Sequence, residues 1–116
     1  MKFMLMIIDD EASQANMSPP EMESLITAVR AVEKELEANK MLLDSRALRP
    51  SAEASVVKFR DAKSIAFDGP FAETKEVLGG YFLIDCASKD EAIAWAKKFP
   101  STGIAGIEVR PIWEMS

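Results

Sequence analysis

The stretch KFMLMII, from Lys2 to Ile8, decides the fold of this chain because it is apolar at nearly every position. Side chains alternate between the two faces of a strand, so this segment would present an apolar row on each side. The segment YFLIDC, from Tyr81 to Cys86, repeats the pattern. Both segments are therefore predicted to be strands at the centre of a sheet that is covered on both faces.

Two helices with apolar stripes accompany these strands. Ser18 is the predicted N-cap of the first helix, prolines follow in its first turn, and Asn39 is its predicted end. Ser88 is the predicted N-cap of the second helix, where Glu91 completes a capping box. The stripes, spaced by three or four residues, consist of Met22, Leu25, Ile26, Val29, Val32 and Leu36 in the first helix and of Ala92, Trp95, Ala96 and Phe99 in the second.

Four further strands complete the pattern. One covers Met41–Arg49, a hairpin joins Ser55–Arg60 to Ser64–Phe67, and the last strand covers Gly106–Glu114. The order β-α-β-(hairpin)-β-α-β predicts a ferredoxin-like α+β fold, with an antiparallel sheet and two helices on one face.

The second face of this sheet needs a cover of its own, since monomers rarely expose an apolar patch of several hundred Å². The simplest cover is a second copy of the chain, in a two-fold homodimer formed through the sheet face. The alternative is that the inserted hairpin folds over this face.

Length, charge and cysteine content limit the class of protein. The 116 residues predict a single domain, residues 1–116, and the net charge of −5 with dispersed basic residues predicts no nucleic-acid partner. The beginning of the chain has neither a signal-peptide pattern nor a membrane span, and the single cysteine fits a reducing compartment. We therefore expect a cytoplasmic protein with no membrane partner, in which Cys86 is a buried core thiol rather than a nucleophile.

The sequence contains no histidine, which excludes Ser–His and Cys–His nucleophiles and an imidazole base. It also contains no glycine-rich phosphate-binding motif, so no cofactor is predicted. The cluster Asp9-Asp10-Glu11 offers oxygen ligands for Mg²⁺ or Ca²⁺ but lacks the spacing of an EF-hand loop. A solvated loop is favoured there, and no metal site is predicted.

The segment DGPFAETKEVLGG, Asp68–Gly80, is the main candidate for a functional loop. Its Asp-Gly-Pro start is typical of a turn, Phe71 is expected to anchor in the core or in a dimer interface, and the glycine pair is predicted to open the next strand. The segment forms either a turn that shapes the dimer or a loop that walls a pocket. The candidate ligand-binding residues are Asp68, Gly69, Pro70, Phe71, Thr74, Lys75 and Tyr81, together with Asp9 and Arg110 from outside the segment.

A basic residue in the last strand offers a second polar feature. Alternation places Glu108 and Arg110 on one face of that strand. In a cleft, the Arg110 guanidinium would bind a carboxylate or a phosphate with two parallel hydrogen bonds. The alternative is an ion pair with an acid of the partner across the dimer interface.

The string DGPFAETKEVLGGYFLIDC, with the following helix DEAIAWA and the strand IEVRPI, resembles the DGPF family of YCII-related small bacterial proteins. The resemblance covers nearly the whole chain and implies a homodimeric α+β barrel in which two sheets pack face to face. It also implies a regulatory or accessory role, because some members are encoded beside extracytoplasmic-function sigma factors. Related YCII-like proteins, among them a dehydrochlorinase-like enzyme of aromatic degradation, use a His–Asp pair in the cleft. This sequence has no histidine, and Phe99 precedes Pro100 where those relatives often have Asp.

Two functions of different classes remain as hypotheses. The first is a non-catalytic dimeric module that binds a small ligand or a protein partner in clefts lined by Asp68–Gly80 and Arg110. The alternative is a carboxylate-based enzyme for small aromatic or related metabolites, with Asp68 or Asp9 as general base and Arg110 stabilising negative charge. The scarcity of acid–base groups favours the module.

Overall fold

The computed structural model of the chain describes residues 1–71 and 74–114. Within these ranges the secondary structure comprises β1 (Lys2–Asp10), α1 (Glu11–Ala15), α2 (Pro19–Ala38), β2 (Leu42–Ala47), a 3-10 turn (Ser51–Glu53), β3 (Ser55–Arg60), β4 (Lys63–Asp68), β5 (Glu76–Asp85), α3 (Lys89–Ala96) and β6 (Ile104–Pro111).

The strands β2, β5, β1 and β6 form, in this order, an antiparallel sheet. The two strands with apolar side chains on both faces, β1 and β5, are its central pair, as predicted. The order is consistent with the predicted ferredoxin-like α+β fold, and α2 and α3 pack on one face of the sheet. Phe3 and Leu5 are fully buried at the centre of this core, so truncation of either to Ala is expected to cost roughly 2–5 kcal/mol.

The helix starts follow the sequence closely, whereas α3 ends at Ala96 and does not include Phe99, which was predicted in its stripe. Ser18 and Glu21 form a complete capping box at the start of α2, and Asn39 caps its end. At the start of α3 the Ser88 side chain accepts a hydrogen bond from the Glu91 N–H. The second half of the capping box predicted there is wrong, because the Glu91 carboxylate reaches past the N-cap and accepts from the N–H of Ala87 at 3.3 Å.

Several strand boundaries differ from the predictions. Strand β5 begins at Glu76 rather than Tyr81, so the glycine pair lies inside the strand instead of opening it. Glycine disfavours strands in general, and only the close contacts of this pair with neighbouring strands explain its place. The last strand covers Ile104–Pro111, and β2 covers only Leu42–Ala47, with an irregularity in its pairing with β5.

The acidic cluster is not a solvated loop, contrary to the prediction. Asp9 and Asp10 are the last residues of β1, and Glu11 is the first residue of α1. The Asp10 side chain caps α1 by accepting a hydrogen bond from the Ser13 N–H at 3.0 Å. This cap turns the acidic run into the start of a helix, where carboxylates are favoured by the backbone dipole.

The predicted hairpin is confirmed, but it does not cover the sheet. Strands β3 and β4 pair with each other and, within the described residues, with no other strand. Asp61 and Ala62 form the turn with φ values of 51° and 64°. The molecule measures 47 × 45 × 18 Å, and its radius of gyration of 15.9 Å exceeds the roughly 13 Å usual for this length. The hairpin therefore projects from a flat body, which contradicts the alternative that it folds over the sheet.

No helix in the described part of the chain is both long enough and apolar enough to span a membrane.

Candidate functional site

The sheet face opposite the helices is apolar at its centre. The strand register places Met4 and Met6 of β1 opposite Leu83 and Tyr81 of β5 on this face, and these side chains are half-buried. Leu78 lies on the same face and is 45% exposed. We call these residues, with Ile8, the open face: Met4, Met6, Ile8, Leu78, Tyr81 and Leu83.

Tyr81 is held by a polar group at one edge of the open face. Its hydroxyl donates to Asp44 Oδ2 at 2.8 Å, and Arg46 Nη1 lies 2.8 Å from Asp44 Oδ1. The hydrogen bond to Asp44, burial and the Asp44 charge raise the pKa of Tyr81, while the Arg46 charge opposes the shift. The candidate Tyr81 is therefore tied to β2, and its hydroxyl is already donated to a carboxylate.

Arg110 lies at the opposite edge of the same face, in register with Met4. Its guanidinium pairs with Glu108 of its own strand, and both side chains are largely exposed. The predicted sharing of one face by these two residues is confirmed. Arg110 thus pairs with an acid of its own chain, because the two side chains are neighbours on the same side of β6. The ion pair with an acid of the partner stays a prediction.

The first part of the Asp68–Gly80 segment forms a turn. Asp68 Oδ1 accepts a hydrogen bond from Ser55 Oγ at 3.1 Å, and the N–H of Gly69, with φ of 113°, donates to the Ala54 carbonyl at 2.6 Å. Pro70 is half-buried after this turn. These contacts close the base of the hairpin and agree with the turn that the Asp-Gly-Pro start predicted.

The second part of the segment leads into β5. Thr74 Oγ1 accepts a hydrogen bond from the Glu76 N–H at 3.2 Å, and the Lys75 carbonyl accepts from the Glu11 N–H at 2.9 Å. The side chains of Thr74 and Lys75 are exposed. Residues 72 and 73 of the segment lie outside the described residues.

Phe71 is not an anchor in the core of this chain, since 71% of its surface is exposed. Its ring lies 5.0 Å from Lys58 Nζ, which also lies 5.3 Å from the Phe67 ring. The expectation of a core anchor is wrong because the hairpin projects from the body and has no core beneath it. An anchor in a dimer interface stays a prediction.

A cavity of about 650 Å³ lies between α2 and the helix-covered face of the sheet. Its volume falls in the range of small-molecule sites, roughly 300–1,000 Å³. Asp9 is the one candidate of the sequence analysis among its lining residues. The lining consists of Ile7, Asp9, Gln14, Met22, Leu25, Ile26, Val29, Arg30, Glu33, Ser45, Arg46, Ala47, Leu48, Gly79, Gly80, Phe82 and Ile104.

Asp9 reaches this cavity through an irregular end of β1. The register of β1 shifts against β5 between Ile7 and Ile8, and against β6 between Ile8 and Asp9. Such bulges re-aim side chains and are common beside functional sites. A Cβ atom on Gly79 would overlap Asp9 Oδ2, and one on Gly80 would lie 2.7 Å from the Arg46 carbonyl oxygen. Gly79 therefore leaves the space in which the Asp9 carboxylate sits, and Gly80 allows the close approach of the β2 backbone.

The three neighbouring carboxylates have different surroundings. Asp10 caps α1, and Glu11 accepts hydrogen bonds from the N–H of Ser51, at 2.9 Å, and from its hydroxyl. These bonds lower the pKa of Glu11. Burial raises the pKa of Asp9, a hydrogen bond from Gln14 opposes the shift, and the Glu11 charge adds to it. Asp9 is thus the carboxylate of this run that faces the cavity.

Sequence reasoning missed most of the cavity lining. Gln14 belongs to a helix that was not predicted, and its Nε2 donates to the Gly103 carbonyl at 2.8 Å. Arg30 and Glu33 lie on α2 beside the predicted apolar stripe. Ser45 comes from β2, far along the chain, and no local spacing connects it with Asp9. The one sequence signal for this lining was the pair Arg30 and Glu33 beside the apolar stripe of α2.

The described residues also bear on metal binding and on thiol chemistry. Within residues 1–71 and 74–114, no group of three or more Cys, Asp or Glu side chains is placed to hold a metal ion. Cys86 is a buried free thiol, as predicted, and its pKa is raised by burial.

Comparison with known proteins gives a consistent assignment. The family model of the YCII-related domain matches residues 1–116. The chain is similar to an uncharacterised protein of Rhizobium meliloti (strain 1021), with 38% identity over 117 residues that cover 97% of this chain and 92% of the relative. Because the family model matches the full sequence, the chain belongs to the YCII-related family.

Proposed function

We propose that this protein is a small-molecule-binding module whose ligand occupies the cavity between α2 and the sheet. The observation that carries the proposal is the half-buried Asp9 carboxylate, which faces a cavity of about 650 Å³ with mostly apolar walls. Pockets of this kind bind ligands through their apolar surface and fix the ligand's orientation with a few polar groups. Asp9 would be the principal group of that kind here.

The module is proposed to act as a homodimer through the open face. An apolar centre with ion pairs at both edges, Asp44–Arg46 on one side and Glu108–Arg110 on the other, resembles an interface core with a polar rim. In a two-fold dimer the sheet edges of one copy lie against sheet edges of the other. Acidic side chains at an edge of one copy would then pair with basic side chains of the other copy. A regulatory or accessory role, which the resemblance implies, would suit such a ligand-binding dimer.

The enzyme hypothesis loses two of its three residues. Asp68 closes the base of the hairpin, and Arg110 lies on the open face, whereas Asp9 lies on the helix-covered side of the sheet. A base and a group that stabilises negative charge must both reach the reacting atoms. Ligand binding by Asp9 is therefore better supported than catalysis. Because its pKa is raised, Asp9 is also the candidate carboxylate for any proton transfer in the cavity.

A thermal-shift screen of metabolites tests the proposal, because a ligand of the folded state raises its stability. Val29→Trp, on the cavity wall, would fill the cavity, and Ala31→Trp, on the exposed side of α2, is the matched control. We expect hits that stabilise the wild-type and the Ala31→Trp proteins and lose their effect in Val29→Trp. Hits that shift the melting temperature equally in both variants would place the ligand elsewhere and reject the cavity.

A further inference from the structure

We propose, resting on the proposed function, that the cavity binds primary amines with an apolar body and that the Asp9 carboxylate accepts the ammonium group. Three observations carry this proposal: the Asp9 charge in the cavity lining, the pairing of neighbouring charges, and the nature of the walls.

The first observation is that Asp9 has no ion-pair partner within the described residues. It is only half-exposed, so water replaces a partner incompletely. Half-buried carboxylates of this kind are stabilised by an opposite charge at close range. A bound ammonium group would supply this charge and three hydrogen-bond donors.

The second observation is that the nearby charges are already engaged or are negative. Arg46 lines the cavity, but its guanidinium is paired with Asp44 and also donates to the Ser45 carbonyl at 2.7 Å. Glu11 adds negative potential at Asp9, as its effect on the Asp9 pKa indicates. Arg30 and Glu33 also line the cavity and are three positions apart on α2, so their opposite charges offset each other. The field at Asp9 therefore favours a cation over an anion.

The third observation concerns the walls around Asp9. Side chains from the sheet and from α2 make them largely apolar, so they favour a hydrocarbon or aromatic body behind the charged group. The walls include the apolar side chains of Ile7, Leu25, Ile26, Val29, Phe82 and Ile104.

Other head groups fit less well. A carboxylate or phosphate would meet the negative charge of Asp9 directly, which raises the cost of binding. A hydroxyl would donate one neutral hydrogen bond, whereas an ammonium group makes charge-assisted bonds that are roughly twice as strong. The expected order of affinity for one apolar body is therefore amine, then alcohol, then carboxylate.

The test is isothermal titration calorimetry at neutral pH with three probes that share a phenylethyl body: 2-phenylethylamine, 2-phenylethanol and 3-phenylpropanoate. For the wild-type protein we expect the amine to bind about tenfold or more tightly than the alcohol, as charged hydrogen bonds imply. Asp9→Asn should lower the amine affinity to that of the alcohol. Asp68→Asn, on the hairpin, is the matched control and should behave as the wild type.

Binding of the alcohol or the carboxylate as tightly as the amine, abolished by Val29→Trp, would overturn the amine assignment and leave the ligand-binding cavity in place. Amine binding that Asp9→Asn does not change would also overturn the assignment. If the amine does not bind at millimolar concentration and no metabolite in the screen depends on Val29, the amine assignment and the proposed function fail together.

Discussion

The carboxylate of Asp9, on β1, lies so close to Gly79, on β5, that a Cβ atom at residue 79 would overlap Asp9 Oδ2. The two residues come from segments 70 positions apart, and the antiparallel pairing of the central strands brings them together. The Asp9 side chain can point into the cavity because residue 79 is a glycine and has no Cβ atom.

Gly79→Ala is expected to destabilise the protein by about 1–3 kcal/mol, the usual cost of forcing an extra methyl group into a packed site. Urea denaturation measures the change. The control is a double-mutant cycle with Asp9→Ala, which removes the overlapping carboxylate. The cost of Gly79→Ala should shrink in the Asp9→Ala background, and strictly additive costs would show that Asp9 is not the obstacle.

Asp9→Asn should gain stability relative to the wild type as pH rises. The pKa of Asp9 is raised in the folded protein, chiefly by burial, so the folded state holds the proton more tightly than the unfolded state. Its contribution to stability is full below its usual pKa of 3.8 and is lost as pH rises through the raised value. Denaturation of both proteins across this range gives the difference, and a flat or falling difference would contradict the raised pKa.

Tyr81, the single tyrosine of the chain, should ionise above its usual pKa of about 10, because its hydroxyl donates to Asp44. Ultraviolet titration of the folded protein reports this residue alone. Asp44→Ala removes the hydrogen bond and the negative charge, so the pKa should fall toward the usual value. An unchanged titration curve in this variant would show that another cause holds the pKa up.

Leu83→Lys should convert the proposed dimer into a monomer, because it places a charge at the centre of the open face. Sedimentation of the wild-type protein should give about twice the 12.8 kDa of one chain, and the variant should give 12.8 kDa. Phe59→Lys is the control, since Phe59 is 80% exposed on the hairpin and lies outside the sheet. Dissociation by Phe59→Lys and not by Leu83→Lys would move the interface to the hairpin.

Glu11→Ala should cost about 1–2 kcal/mol, since it removes two hydrogen bonds that join α1 to Ser51. Glu53→Ala is the matched control, because its ion pair with Arg49 is exposed and is expected to contribute less than about 1 kcal/mol. The pKa of Glu11 is lowered by Ser51, so its contribution is present above the usual value of 4.5 and is lost as pH falls through the lowered one. Equal costs for the two variants at neutral pH would contradict the anchoring role.

Local sequence signals predicted the elements that depend on neighbouring residues. The Ser18 and Ser88 caps, the Asn39 end and the hairpin turn are formed by groups within a few positions of each other, and the sequence contains their full chemistry. Two local predictions nevertheless failed, the Glu91 half of the α3 capping box and the solvated loop at the acidic cluster. The prediction for Phe71 failed because it depended on distant packing partners. Phe71 was expected in the core because of its size, yet the hairpin that carries it projects from the body.

The sequence by itself determined the α+β fold, because alternation in Lys2–Ile8 and Tyr81–Cys86 and the helical stripes record which face each element buries. It also determined the absence of histidine chemistry and the family resemblance. Only the tertiary structure decided where the acids point. Asp10 and Glu11 are occupied by local and long-range hydrogen bonds, while Asp9 enters a cavity whose walls come from α1, α2 and distant strands. Strand pairing sets these neighbours, and pairing partners far apart in the chain leave no local pattern in the sequence.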